Sequence, residues 1–133
     1  SIHEIPFTEI KLAYGTPLTK EELYKYDNQG YTGLLIQACE TSTGVLYDLT
    51  MIGDFCAKNK TFFFVDAVSA FLADKISMKE MHINAAITGS QKALALPPSM
   101  SFTVMDEIAV KKCYDNKVKS MYFNYPEHHY KST

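Results

Sequence analysis

Short, nearly uninterrupted apolar runs recur along this chain, and stretches of helical period or polar character separate them. This alternation constrains the fold more than any other feature. Gly33–Cys39 (GLLIQAC), Thr61–Val65 (TFFFV) and His82–Thr88 (HINAAIT) are of strand length and rich in branched or aromatic residues, and Ser101–Met105 (SFTVM) adds a fourth run. A strand that is apolar without alternation is covered on both sides, as in a parallel sheet. Between the first two runs, Leu46–Lys58 carries Leu46, Leu49, Ile52 and Phe55-Cys56 at spacings of three and four, which predicts an amphipathic helix. Thr19-Lys20-Glu21-Glu22 predicts a capping box opening a short helix to Tyr26, stopped at Asn28-Gln29-Gly30. Asp106–Tyr114 predicts a helix with Asp106 near its start. Ile2–Leu12 is loosely strand-like, and the residues after Asn116 show no clear period. The expected fold class is α/β, a three-layer, mostly parallel sheet with helices on both faces.

Composition narrows the classes of function. At 133 residues the chain has the size of one ordinary domain, and 47% apolar with 21% charged residues is a globular balance. A net charge of −2 argues against a nucleic-acid platform. No apolar run approaches the length of a membrane span, and the opening Ser1-Ile2-His3-Glu4 carries no basic-then-apolar pattern, so no signal peptide is expected. Cys39, Cys56 and Cys113 are odd in number, widely spaced and without a CxxC, which fits a reducing, cytoplasmic setting. His3, His82, His128 and His129 form no metal-ligand pattern, so no metal is expected. Met78, Met81, Met100 and Met105 read as core filler, and Tyr122, Tyr125 and Tyr130 as candidates for an interface.

In open parallel sheets, ligands bind beyond the carboxyl ends of the strands. Three loops begin there: Glu40-Thr41-Ser42-Thr43-Gly44, Asp66-Ala67-Val68-Ser69 and Gly89-Ser90-Gln91-Lys92. Asp66 ends an apolar strand, where a carboxylate has a cost to offset. Lys92 follows another strand, where burial would favour a neutral, nucleophilic amine. An acid, an amine and several hydroxyls on one crevice suit pyridoxal phosphate: the amine forms a Schiff base, the acid keeps the pyridine nitrogen protonated, and a hydroxyl bonds the phenolic oxygen. Taken singly, the same residues would also serve as an exposed lysine, a helix cap and a run of capping hydroxyls.

Four ordered motifs carry a resemblance: Glu40-Thr41-Ser42-Thr43-Gly44-Val45, Phe64-Val65-Asp66-Ala67-Val68-Ser69, Ile87-Thr88-Gly89-Ser90-Gln91-Lys92-Ala93-Leu94 and Pro97-Pro98-Ser99-Met100-Ser101-Phe102. With 25 residues from Thr41 to Asp66 and 26 from Asp66 to Lys92, they resemble the class V aminotransferases, in the alanine–glyoxylate, serine–pyruvate and 2-aminoethylphosphonate–pyruvate branch. The resemblance covers roughly Gly33 to Ala109. It implies a transaminase that moves an amino group from a small amino donor to a 2-oxo acid such as pyruvate or glyoxylate. Lys92 would be the Schiff-base and proton-shuttling lysine, and Asp66 the partner of the pyridine nitrogen. Val68 would be the apolar residue under the ring, Thr41 the hydroxyl near the phenolic oxygen, and Gln91 a contact near the phosphate. Ser90 would be structural. Gln37-Ala38-Cys39 replaces a histidine common ahead of Glu40, and Asn84 stands where Asp is common. Gln91 replaces the histidine of the cysteine desulfurases.

The resemblance further implies that residues 1–133 are a central part of a large, cofactor-binding domain. The phosphate cradle ahead of it and a C-terminal small domain would lie outside it, and the assembly would be a homodimer. The alternative class of function is an inactive fragment that serves as a folding or interaction module. By themselves, residues 1–133 would self-associate or need the missing segments, because exposed strand edges and apolar faces are poorly tolerated by water.

Overall fold

A computed structural model describes residues 5–116, with residues 124 and 126. The expectations for Tyr122, Tyr125, Tyr130, His3, His128 and His129 lie outside these residues. Four strands form one sheet in the order β1 (Gly33–Gln37), β2 (Phe62–Asp66), β3 (Ala85–Gly89) and β4 (Ser101–Met105). β1–β2 and β2–β3 are parallel, whereas β3–β4 is antiparallel, with Ile87 opposite Thr103. The sheet is therefore mixed, and its parallel part is where the continuous apolar runs stood.

Among residues 5–116, three helices flank it: α1 (Lys20–Tyr24), α2 (Leu49–Asn59) and α3 (Glu107–Asp115). Side chains alternate across β2. Phe63 and Val65 are buried in one core with Ile52, Phe55 and Cys56 of α2 and Leu23 of α1. Phe62, Phe64 and Asp66 fall on the opposite face. There α3 lies near the amino ends of the parallel strands, with Lys112 Nζ 6.0 Å above the Phe62 ring and Cys113 Sγ 3.9 Å from Met105 Sδ. Both faces thus carry helix, as the apolar runs require. The carboxyl-end half of the α3 face stays open, with Leu35 79% and Ile87 46% exposed.

Element ends follow local chemistry. The capping box forms as expected: Glu22 N donates to Thr19 Oγ1 (3.3 Å), and the Glu22 carboxylate accepts from Thr19 N (3.2 Å). α2 starts at Leu49, three residues later than the apolar period suggests. The Asp48 side chain caps it by accepting from Met51 N (2.9 Å), while Leu46 and Tyr47 still pair back to Cys39 and Ala38. β3 starts at Ala85 rather than His82, because His82 sits in a left-handed turn (φ 53°). Asn84 then joins three elements: it accepts from Phe63 N (2.8 Å) and donates to Asp106 Oδ2 (2.7 Å) at the start of α3. Residues 5–12 form no strand: Ile10 and Leu12 pack on the core, while Ile5 and Phe7 are exposed and no partner strand lies beside them among the described residues.

Candidate functional site

The carboxyl ends of β1, β2 and β3 share one rim of the sheet, and each loop there is fixed by its own hydrogen bonds. After β1, Glu40 N donates to Val45 O and Gly44 N to Glu40 O, both at 2.8 Å, closing a turn in which Gly44 takes φ +72°. The Glu40 carboxylate accepts from Ser42 N (2.9 Å), Ser42 Oγ (2.8 Å) and the Gln37 side-chain amide. The Ser42 N–H, followed by the Ser42 hydroxyl and Gln37, holds the Glu40 carboxyl below its usual range. Gln37, at the end of β1, thus supplies a donor to Glu40. Thr41 is exposed at the tip, its Oγ1 2.8 Å from Ser69 Oγ.

After β2, Asp66 is exposed and its Oδ1 accepts from Val68 N (2.9 Å), an Asx turn. Oδ2 makes no hydrogen bond among the described residues. Ala67 N donates to Ile87 O (2.8 Å), tying this turn to β3, and Ala67 and Ala70 are buried beneath it.

After β3, Ser90 is wholly buried. Its hydroxyl donates to Pro97 O (2.6 Å) and accepts from Met100 N (3.2 Å) and Ser99 N (3.3 Å). Its backbone N–H donates to Met100 O (3.0 Å), and its carbonyl accepts from Leu96 N (3.1 Å). One serine therefore clasps the base of the 91–99 loop, the structural part expected of it. Gln91 folds back over Gly89 so closely that a Cβ there would collide with the amide.

Two hollows open on this rim and meet at Ile87. One, of about 430 Å³, is lined by Leu35, Gln37, Phe64, Asp66 and Ile87 among others. The second, of about 480 Å³, is lined by Val68, Thr88, Gln91, Ser99, Ser101 and neighbours. The structure thus brings Asp66, Val68 and Gln91 to adjoining hollows, and links Thr41 to the Val68 turn through Ser69. Lys92 adjoins Gln91 in the loop but is exposed and lines neither hollow. The Thr88 hydroxyl, buried without a hydrogen-bond partner among the described residues, alternates to the sheet face opposite Asp66 and Ile87.

Sequence reasoning passed over Glu40 and Ser69. Glu40 had a signal, a carboxylate two residues before a serine in a glycine-closed turn. Ser69 had none, since its partner lies 28 residues away. Among the described residues there is no cluster of three or more His, Cys, Asp or Glu suited to a metal, and no helix long and apolar enough to cross a membrane.

Residues 6–99 match the family model for class-V aminotransferases. An uncharacterized aminotransferase of Helicobacter pylori is 30% identical over 126 residues, which are 92% of this chain and 33% of that protein. The alanine–glyoxylate aminotransferase of Oryctolagus cuniculus is 37% identical over 84 residues, 63% of this chain and 21% of the enzyme. Among solved structures, the ureidoglycine–glyoxylate aminotransferase of Bacillus subtilis superposes with a TM-score of 0.79 at 27% identity, over 86% of this chain and 30% of that one. The chain thus spans about a fifth to a third of the length of the proteins it matches.

Proposed function

This chain belongs to the class-V aminotransferases, and from that premise we propose that the full-length protein is a pyridoxal-phosphate-dependent transaminase acting between a small amino donor and a 2-oxo acid such as pyruvate or glyoxylate. The observation that carries the reading is the convergence of Asp66, Val68 and Gln91 on adjoining hollows at one sheet rim, with Thr41 tied to it and Lys92 in the loop beside Gln91. The names of the glyoxylate-using relatives support the acceptor class.

The residues present fit the cofactor. Asp66 keeps one carboxylate oxygen uncommitted among the described residues, and the Gln91 amide is folded against Gly89 at the edge of a hollow. Pyridoxal phosphate, when bound, supplies an aldehyde that takes the amino group and a ring that takes up electrons. Asp66 Oδ2 is the group to hold a proton on the ring nitrogen, because a carboxylate favours the charged form of a base beside it. The Asx turn fixes the other oxygen and so sets the carboxylate plane. Val68 offers an apolar surface for a flat ring. Gln91 and Thr41 offer neutral donors to oxygens, which orient without adding charge. Lys92 Nζ would be both nucleophile toward a carbonyl and carrier of a proton.

The direct test is amino transfer by the full-length protein loaded with pyridoxal phosphate, from a panel of small amino acids to glyoxylate and to pyruvate. Transfer to either, lost in Lys92→Ala, is the expected result. Absence of transfer from every donor, with cofactor bound, overturns the reading. A homodimer in the cytoplasm goes with this proposal, and sedimentation of the full-length protein tests the dimer.

A further inference from the structure

Thr41 and Ser69 stand on different loops, 28 residues apart, with their hydroxyl oxygens 2.8 Å from each other. Among the described residues this is the one hydrogen bond that either hydroxyl makes. Their surroundings differ. Thr41 is exposed at the tip of the loop after β1, whereas Ser69 is half-buried. Ser69 rests on a turn fixed by the Asp66 to Val68 hydrogen bond (2.9 Å), by Phe71 N donating to Ala67 O (2.8 Å), and by buried Ala67 and Ala70. Both loops are held by their own hydrogen bonds, but Ser69 is the less exposed partner and Thr41 the one whose hydroxyl stands open to a ligand.

Each hydroxyl has one proton to give. If Thr41 donates to Ser69, Thr41 turns only lone pairs outward and repels an anionic oxygen. If Ser69 donates, Thr41 keeps its proton for a ligand, and the two bonds in series strengthen each other. We infer that Ser69 is a positioning residue that donates to Thr41 Oγ1 and so turns the Thr41 proton toward an anionic oxygen of the bound cofactor. The inference rests on the functional reading above and adds to it a residue outside the cofactor contacts.

The experiment is a double-mutant cycle on the full-length protein, read as the dissociation constant of pyridoxal phosphate by absorbance titration. Thermal midpoints of the cofactor-free variants check the fold. Ser69→Ala weakens binding roughly three- to tenfold, the worth of one neutral hydrogen bond. Thr41→Ala weakens it at least as much. The double variant matches Thr41→Ala alone, because Ser69 acts only through Thr41. Ser69→Thr, which keeps the hydroxyl, restores binding. Additive losses in the cycle, or wild-type binding by Ser69→Ala, overturn the inference and leave the functional reading standing. A wild-type protein that does not bind pyridoxal phosphate overturns both.

Discussion

Replacing Ser90 with alanine tests whether one hydroxyl really holds the loop that carries Gln91 and Lys92. The side chain is wholly buried, so water does not compete for it in the native state. Alanine removes a short bond to Pro97 O (2.6 Å) and two longer ones from Met100 N (3.2 Å) and Ser99 N (3.3 Å). Counting about 1 kcal/mol for the short bond and about 0.5 for each longer one gives about 2 kcal/mol. Pro97, Ser99 and Met100 are exposed residues, so their freed backbone groups can regain water, which limits the cost. With a urea slope of about 2 kcal/mol per molar, the midpoint falls by about 1 M. The thermal midpoint falls by roughly 6–10 °C for a domain of this size. Amide exchange at Met100 should accelerate more than at Val65 in the core. A urea midpoint lowered by less than about 0.25 M, equivalent to about 0.5 kcal/mol, would refute the clasp.

Gly53→Ala should destabilise by about 1–3 kcal/mol despite alanine's helix propensity, because a Cβ on this residue of α2 runs into the Met81 carbonyl; denaturant melts read it, and a stabilised variant would contradict the packing. The Glu40 carboxyl is depressed in the folded protein, so its hold on Ser42 is complete above pH of about 4.5 and is lost as pH falls through its folded value. The protection of the Ser42 amide, measured against its intrinsic exchange rate, should fall as pH drops through that window, and should show no such step in Glu40→Gln. Burial pushes the Cys56 thiol up to about 12, so under native conditions alkylation should modify Cys39 and Cys113 well before Cys56, as peptide mass mapping will show. In the full-length protein, Asp66→Asn should retain cofactor but lose roughly ten- to a hundredfold in transfer rate, the worth of a charge-assisted bond, and an unchanged rate would remove Asp66 from the chemistry.

Much of the sheet was legible because its physics is local. TFFFV is apolar on both sides, and the structure gives both sides of β2 a covering: α2 over Phe63 and Val65, and α3 over Phe62. Thr19 and Glu22 announce their cap within four residues. The start of α2 was misjudged because Leu46 continues the apolar period, yet it is spent on pairing with Cys39 while Asp48 sets the cap. Ile2–Leu12 has strand-like character but no partner among the described residues, and a strand is defined by its neighbour. In the site, the candidate residues were legible through four ordered motifs. Their mutual support was not. Ser69 reaches Thr41 across 28 residues, and Gln37 reaches Glu40 around a turn, contacts that only a folded chain displays. Lys92 was expected within the crevice and is exposed in the described chain, beside Gln91 rather than among the residues lining the hollows.

The proposed chemistry turns on that lysine. Loading the full-length protein with pyridoxal phosphate, reducing it with borohydride and sequencing the modified peptide by mass spectrometry reads out directly which amine holds the cofactor. The label is expected on Lys92, within the peptide that also carries Ser90 and Gln91. A label on any other lysine would contradict that chemistry.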